Sequence, residues 1–118
     1  MKILLVDDEQ ELVSTLAERL EIRGIEAHWF TNAEAALKFS ENAAYDLAVL
    51  DVKMPKIGGL ELQRRLRQMH PDMKFIFLTG HGSEEDYRAG TAEGHSYLIK
   101  PVDIEQLIKK IKETLQFS

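Results

Sequence analysis

Leu47–Leu62 reads LAVLDVKMPKIGGLEL. The run Leu47–Leu50 is apolar, and Asp51 ends it. Pro55, Gly58 and Gly59 then break the chain, and from Leu60 the apolar residues Leu62, Leu66 and Met69 recur on one side. A short, continuous apolar run bounded by turn residues suits a strand buried on both faces. Gly and Pro punctuate loops, and apolar residues three to four apart mark an amphipathic helix. The stretch is therefore a buried strand, a carboxylate at its end, a loop and a helix.

The same unit repeats in both directions. Lys2–Val6 is an apolar strand that ends at Asp7 and Asp8. Glu9–Arg23 carries Leu12, Leu16 and Leu20 on one face with Val13 and Ala17 beside them, and Gly24 stops it as a C-terminal glycine does. Glu26–Phe30 is a second, less apolar strand. Thr31-Asn-Ala-Glu34 has the form of a capping box that opens a helix running to Asn42. His70-Pro71-Asp72 turns the chain into a fourth strand, Phe75–Leu78, which ends at Thr79 and is broken by Gly80 and Gly82. Ser83-Glu-Glu-Asp86 caps a fourth helix that Gly90 and Thr91 make intrinsically poor. Tyr97–Ile99 is the fifth strand, and Lys100-Pro101 ends it. Asp103-Ile-Glu-Gln106 caps a final helix with the face Ile104, Leu107, Ile108, Ile111 and Leu115.

Strands alternating with helices give an α/β fold with a five-stranded parallel sheet and five helices on both faces. Periodicity does not fix the strand order. The 118 residues are expected to form a single domain, 1–118, and an apolar share of 44% is enough for a core. A net charge of -5 argues against direct nucleic-acid binding, which needs a basic face. The chain has no cysteine, which excludes disulfides, cysteine-ligated zinc and thiol catalysis, and suits a cytoplasmic setting. The apolar part of Met1–Val6 is too short for a signal-peptide core or a membrane span.

Polar residues gather where the strands stop. Asp7 and Asp8 follow the first strand, Asp51 ends the third, Thr79 the fourth and Lys100 the fifth. In a parallel sheet these ends share one edge, and open α/β sheets bind ligands in the crevice beyond it. Carboxylates gathered there repel one another unless protons or cations intervene. Oxygen ligands without His or Cys suit Mg²⁺, Mn²⁺ or Ca²⁺. Lysine offers a point charge to phosphate, threonine a hydroxyl donor, and a carboxylate can itself be a nucleophile that forms an aspartyl phosphate. Taken singly, each has an ordinary use: Asp8 caps a helix with Glu11, Asp7 is a solvated loop acid, Asp51 starts a turn, and Thr79 and Lys100 are common strand and surface residues. Their joint placement is what points to chemistry.

These motifs resemble the response-regulator receiver family of two-component signalling. MKILLVDDE at Met1–Glu9 resembles its opening strand and acidic pair, and Leu47–Leu62 its phosphoacceptor strand and loop. FLTGHG at Phe77–Gly82 resembles its threonine region, and YLIKPVD at Tyr97–Asp103 its lysine–proline strand end. The resemblance implies a flavodoxin-like, doubly wound sheet of order 2-1-3-4-5 and a cis Lys100-Pro101 bond. It implies that Asp51 accepts a phosphoryl group from a sensor histidine kinase or phosphotransfer protein. Mg²⁺ or Mn²⁺ would sit on Asp7, Asp8, Asp51 and the main-chain carbonyl of Lys53. Thr79 and Lys100 would bind phosphoryl oxygens. Thr79 and Tyr97 would then act as a switch, Tyr97 turning inward and the surface of the fourth helix, fifth strand and fifth helix passing the signal to an effector domain or protein.

The resemblance implies no enzyme activity beyond the chain's own phosphorylation and dephosphorylation, no bound organic cofactor and no membrane contact. It leaves open a phosphorylation-dependent homodimer through the fourth and fifth helices. Gly58 departs from the Asp common in the family's loop, His95-Ser96 from its usual small-acidic pair, and Lys53 and His81 occupy positions that vary. A phosphorylation-independent pseudo-receiver would lack the acceptor, a metal acid or the lysine. A dehalogenase-type phosphatase would place its second Asp two residues after the nucleophile. A flavin carrier would need a phosphate-binding loop where Asp7, Asp8 and Glu9 stand.

Overall fold

Alternation along the strands decides which helix covers which face. In a computed structural model that describes residues 1–80 and 96–116, the order is β1 (Lys2–Val6), α1 (Gln10–Ile22), β2 (Glu26–Phe30), α2 (Ala33–Ser40), β3 (Leu47–Asp51), α3 (Gly59–Met69), β4 (Lys74–Thr79), β5 (Ser96–Ile99) and α4 (Ile104–Gln116). The strands pair in parallel in the order β2-β1-β3-β4-β5. The described residues contain four helices. The further helix expected from Ser83 falls within 81–95, outside the described residues, as does His81.

Ile3, Leu5, Leu47, Val49, Ile76 and Leu78 point to one side of the sheet. There they meet Val13, Leu16, Ala17 and Leu20 of α1 and Ile104, Leu107 and Ile111 of α4. Leu4, Val6, Ala48, Leu50, Phe75 and Phe77 point to the other side, against Ala33 and Ala36 of α2 and Leu62 and Leu66 of α3. The central strands are thus apolar throughout because both of their faces are covered. Each fully buried Leu or Ile contributes roughly 1.5–3 kcal/mol. A one-residue slip would exchange the two sets and misfit both cores.

Local signals end the helices. Gly24 has a φ of 81°. Its N–H donates to the Glu21 carbonyl at 2.9 Å and the Ile25 N–H to the Leu20 carbonyl at 3.0 Å, a Schellman closure with Leu20 and Ile25 in the same core. The expected capping box at Thr31 is displaced by one residue. Asn32 is the N-cap, and its side-chain oxygen accepts from the Ala35 N–H at 2.8 Å. With the helix starting at Ala33, the third helical residue is Ala35, so Glu34 cannot close the box on Thr31. The last turn after Ser40 tightens into i→i+3 bonds, so α2 stops short of Asn42. Asp103 opens α4 as expected, its carboxylate accepting from the Glu105 N–H at 3.1 Å.

His28 and His70, which have no partner pattern in the sequence, both find partners in the fold. His28 Nδ1 lies 2.8 Å from the Tyr45 hydroxyl, and His70 Nε2 lies 2.8 Å from the Ser40 carbonyl.

Candidate functional site

Register brings the strand ends together. Val6 lies opposite Leu50, Asp51 opposite Leu78, and Thr79 opposite Ile99. Asp7, Asp51, Thr79 and Lys100 therefore step along one edge of the sheet. Backbone bonds just past the strands hold those steps: Asp7 N–H to the Phe30 carbonyl at 3.1 Å, Val52 N–H to Leu78 at 2.9 Å, and Lys100 N–H to Thr79 at 2.7 Å. The Lys100-Pro101 peptide is cis, as the resemblance implied.

The loop after β3 is closed by a tight approach of α3. The Gly59 N–H donates to the Val52 carbonyl at 3.0 Å. A Cβ on Gly59 would lie 2.3 Å from the Asp51 carbonyl oxygen, and one on Gly58 2.8 Å from that of Val52. Both positions lack room for a side chain, and at Gly59 the obstacle is the backbone of Asp51 itself. Lys56, with a φ of 67°, turns the loop between Asp51 and Gly58. Lys53 lies in this loop two residues past Asp51 and is exposed.

Asp7, Asp8 and Asp51 each bring a carboxylate oxygen into one cluster in which the oxygens lie within 4.8 Å of one another. Asp51 is 4% exposed and Asp7 is buried, while Asp8 faces solvent. The Lys100 ammonium reaches this cluster from β5. It lies 2.9 Å from Asp7 Oδ2 and 3.5 Å from Asp51 Oδ1. The first contact sets the ammonium directly against the buried Asp7 carboxylate and compensates its charge. The other Asp7 oxygen accepts from the Glu9 N–H at 2.9 Å. Asp8 does not cap α1: Glu9 holds the N-cap position, with no side-chain cap.

Burial controls the charge states. It pushes the Asp51 carboxyl up to about 7, with the charges of Asp7 and Asp8 adding to the effect and Lys100 opposing it. Asp7 is raised by burial as well, against the pull of its bond from Glu9 and of Lys100. Burial works to lower the Lys100 pKa, but Glu9, Asp7 and Asp51 outweigh it, so the ammonium stays charged above its ordinary range. Thr79 is 2% exposed, and its buried hydroxyl has no hydrogen-bond partner among the described residues. A buried hydroxyl at this edge of the sheet is available to donate to an incoming acceptor.

Tyr97 is 4% exposed, more buried than an ordinary half-buried strand tyrosine, and its ring centre lies 5.2 Å from that of Phe77. It already points inward here. The sequence reading missed Glu9, whose carboxylate accepts from the Lys100 ammonium at 2.7 Å across 91 positions. Only its place beside Asp7 and Asp8 could have signalled that contact.

A family model described as "Response regulator receiver domain" matches residues 3–112. The transcriptional regulatory protein CpxR of Escherichia coli (strain K12) is 41% identical over 118 residues, covering 99% of this chain and 50% of that protein. The transcriptional regulatory protein RprY of Bacteroides fragilis (strain YCH46) is 34% identical over 117 residues, again covering 50% of its length. The chain thus spans about half the length of the curated relatives it matches. A response regulator receiver domain protein (CheY-like) from Methanospirillum hungatei JF-1 superposes with a TM-score of 0.86 at 34% identity, covering 98% of this chain and 94% of that one. The receiver domain of NtrX from Brucella abortus gives 0.88 at 28% identity, with 98% and 99% covered. No helix among the described residues is long and apolar enough to cross a membrane.

Proposed function

The chain belongs to the response regulator receiver family of two-component systems, and on that premise we propose that residues 1–118 form one receiver domain in which Asp51 is the phosphoacceptor. The observation that carries this reading is the pairing of a buried Asp51 with two adjacent carboxylates and a charged lysine. Asp51, after giving up its proton to solvent, attacks through a carboxylate oxygen the phosphorus of a kinase or phosphotransfer-protein phosphohistidine. The P–O bond forms as the P–N bond breaks, and the departing imidazole takes up a proton. Lys100 meets one phosphoryl oxygen as a fixed charge, and Thr79 donates its free hydroxyl to another. The chemistry is positioning and charge neutralisation, confined to this chain's own phosphorylation and dephosphorylation.

The donor set fits a hard cation such as Mg²⁺ or Mn²⁺: it is all oxygen, crowded and short of positive charge. Asp7, Asp8, Asp51 and the Lys53 carbonyl would hold it, Asp7 in part through water. When bound, the cation neutralises the carboxylates and the transferring phosphoryl oxygens. Thr79 moving to the phosphoryl group, with Tyr97 held inward, would carry the change to the β5–α4 surface and on to a downstream effector. A cytoplasmic setting suits this role.

The test is intact-protein mass after incubation with acetyl phosphate, with and without Mg²⁺. The expected result is a Mg²⁺-dependent gain of one phosphoryl group that Asp51→Ala abolishes. A wild-type protein that takes no phosphoryl group from acetyl phosphate or from a kinase would instead favour a phosphorylation-independent binding module.

A further inference from the structure

We propose that Glu9 is a positioning residue for Lys100: it tethers the ammonium at the rim of the site, and the tether must open before Lys100 can engage a phosphoryl oxygen. The inference rests on the reading of Asp51 as phosphoacceptor and adds to it what the lysine does before transfer.

Three distances carry the argument. Lys100 Nζ is 2.7 Å from Glu9 Oε1, 2.9 Å from Asp7 Oδ2 and 3.5 Å from Asp51 Oδ1. Of these, the Glu9 contact is the shortest and has hydrogen-bonding geometry. The lysine is thus drawn outward and stands beyond hydrogen-bond length from the acceptor carboxylate. The two carboxylates closest to it also differ in setting. The Asp7 side chain is 1% exposed and the Glu9 side chain 62%, while Lys100 is 15% exposed. The inner partner is fixed by burial and by its bond from the Glu9 N–H. The outer one sits on a solvated arm that can swing away at little cost.

Glu9 also holds a position that normally asks for something else. As N-cap of α1 it is extended, with φ -85° and ψ 94°, yet its side chain makes no capping bond. Ser, Thr, Asp or Asn there would satisfy an orphan N–H of the first turn. The carboxylate turns from the helix to Lys100 instead. An incoming phosphoryl group competes with Glu9 for the same ammonium and is repelled by the same carboxylate. Both effects oppose loading, and both vanish when the charge is removed.

The experiment uses the full chain as wild type, Glu9→Gln, Glu9→Asp and Glu9→Ser, the last being a good N-cap without charge. Two quantities are read: the rate of Mg²⁺-dependent phosphorylation by acetyl phosphate, and the exchange of the Lys100 ammonium protons with water, by ¹⁵N-edited NMR without donor or metal. Glu9→Gln and Glu9→Ser should each be phosphorylated about threefold faster, as loss of a half-exposed pair implies, and should exchange the ammonium protons faster. Glu9→Asp keeps the charge on an arm too short to reach and should fall between. Wild-type rates in Glu9→Gln and Glu9→Ser would overturn the proposal. So would a wild-type rate in Glu9→Asp beside a fast Glu9→Gln, which would leave charge repulsion without a tether. If ammonium exchange responds but no variant takes a phosphoryl group, the tether stands and the phosphoacceptor reading fails. If exchange is unchanged while phosphorylation proceeds, the tether fails alone.

Discussion

Strand β3 is bracketed by two aspartates that meet opposite fates. Asp46, just before it, is exposed and fully employed. Its carboxylate accepts from the Lys2 N–H at 2.7 Å, its own N–H reaches the Lys2 carbonyl at 2.9 Å, and its carbonyl accepts from Lys74 at 3.1 Å. It seams β1, β3 and β4 at the start of the sheet. Asp51, at the far end of the same strand, is buried among other acids with a lysine 3.5 Å away and a proton it retains up to about pH 7. One residue type thus stabilises at one edge and stores unfavourable charge at the other. Groups left short of partners in a folded protein are where binding and chemistry concentrate.

The largest effect should come from exchanging charge for neutrality at each end. Asp51→Asn should abolish phosphorylation, while Asp46→Asn should leave it within about twofold, since that site touches none of the transfer machinery. In stability the Asp51 variant should gain where it loses in phosphorylation. Asp51→Asn should stabilise the metal-free protein at pH 8 by on the order of 2 kcal/mol, because a buried carboxylate is removed from like charges. Denaturant midpoints would read this, and a destabilised Asp51→Asn at pH 8 would break the comparison.

The same contrast has a pH signature. The folded pKa of Asp51 lies above its unfolded value, so the folded state holds the proton longer. The stability this gives is fully present below about pH 4 and is lost as pH rises through about 7 in the metal-free protein. Asp51→Asn should therefore match wild type below about pH 4 in this respect and exceed it at pH 8. Mg²⁺ competes with that proton, so its apparent affinity should climb with pH through the same range, with proton release visible by calorimetry in buffers of different ionisation enthalpy.

Gly59→Ala sharpens the steric side of the site. Its Cβ would meet the Asp51 carbonyl oxygen at 2.3 Å. A loss of about 1–3 kcal/mol is expected, with slower phosphorylation because the acceptor's own backbone must shift. Smaller still is Thr79→Val. It removes a buried hydroxyl that has no partner among the described residues, so thermal stability should rise by about 1 kcal/mol while phosphorylation slows. A fall in both would mean that the hydroxyl has a partner.

How far these features could be read from sequence follows from the range of the forces behind them. The apolar strands, the Gly24 stop and the Asp103 cap are local, and periodicity with turn chemistry located them. The ends of β1, β3 and β4 were legible because each apolar run stops at a polar residue. Strand order came from family resemblance, since local patterns say nothing about which strands pair. The cap at Asn32 rather than Thr31 turned on one residue of helix phase, which a short pattern does not resolve. The Glu9–Lys100 contact spans 91 positions and arises only when the sheet brings the ends of β1 and β5 to the same edge, with β3 and β4 between them. The steric demand at Gly59 depends on how closely α3 approaches β3, a matter of packing.

The central claim is that burial among like charges leaves the Asp51 carboxyl protonated near neutrality until a cation takes the place of the proton. A pH titration of the aspartate carboxyl carbons by ¹³C NMR, with and without Mg²⁺, tests it most directly. The account predicts an Asp51 transition centred at about 7 in the metal-free protein, which Mg²⁺ moves well down the pH scale. An Asp51 transition in the ordinary carboxylate range near about 4, unmoved by Mg²⁺, would contradict it.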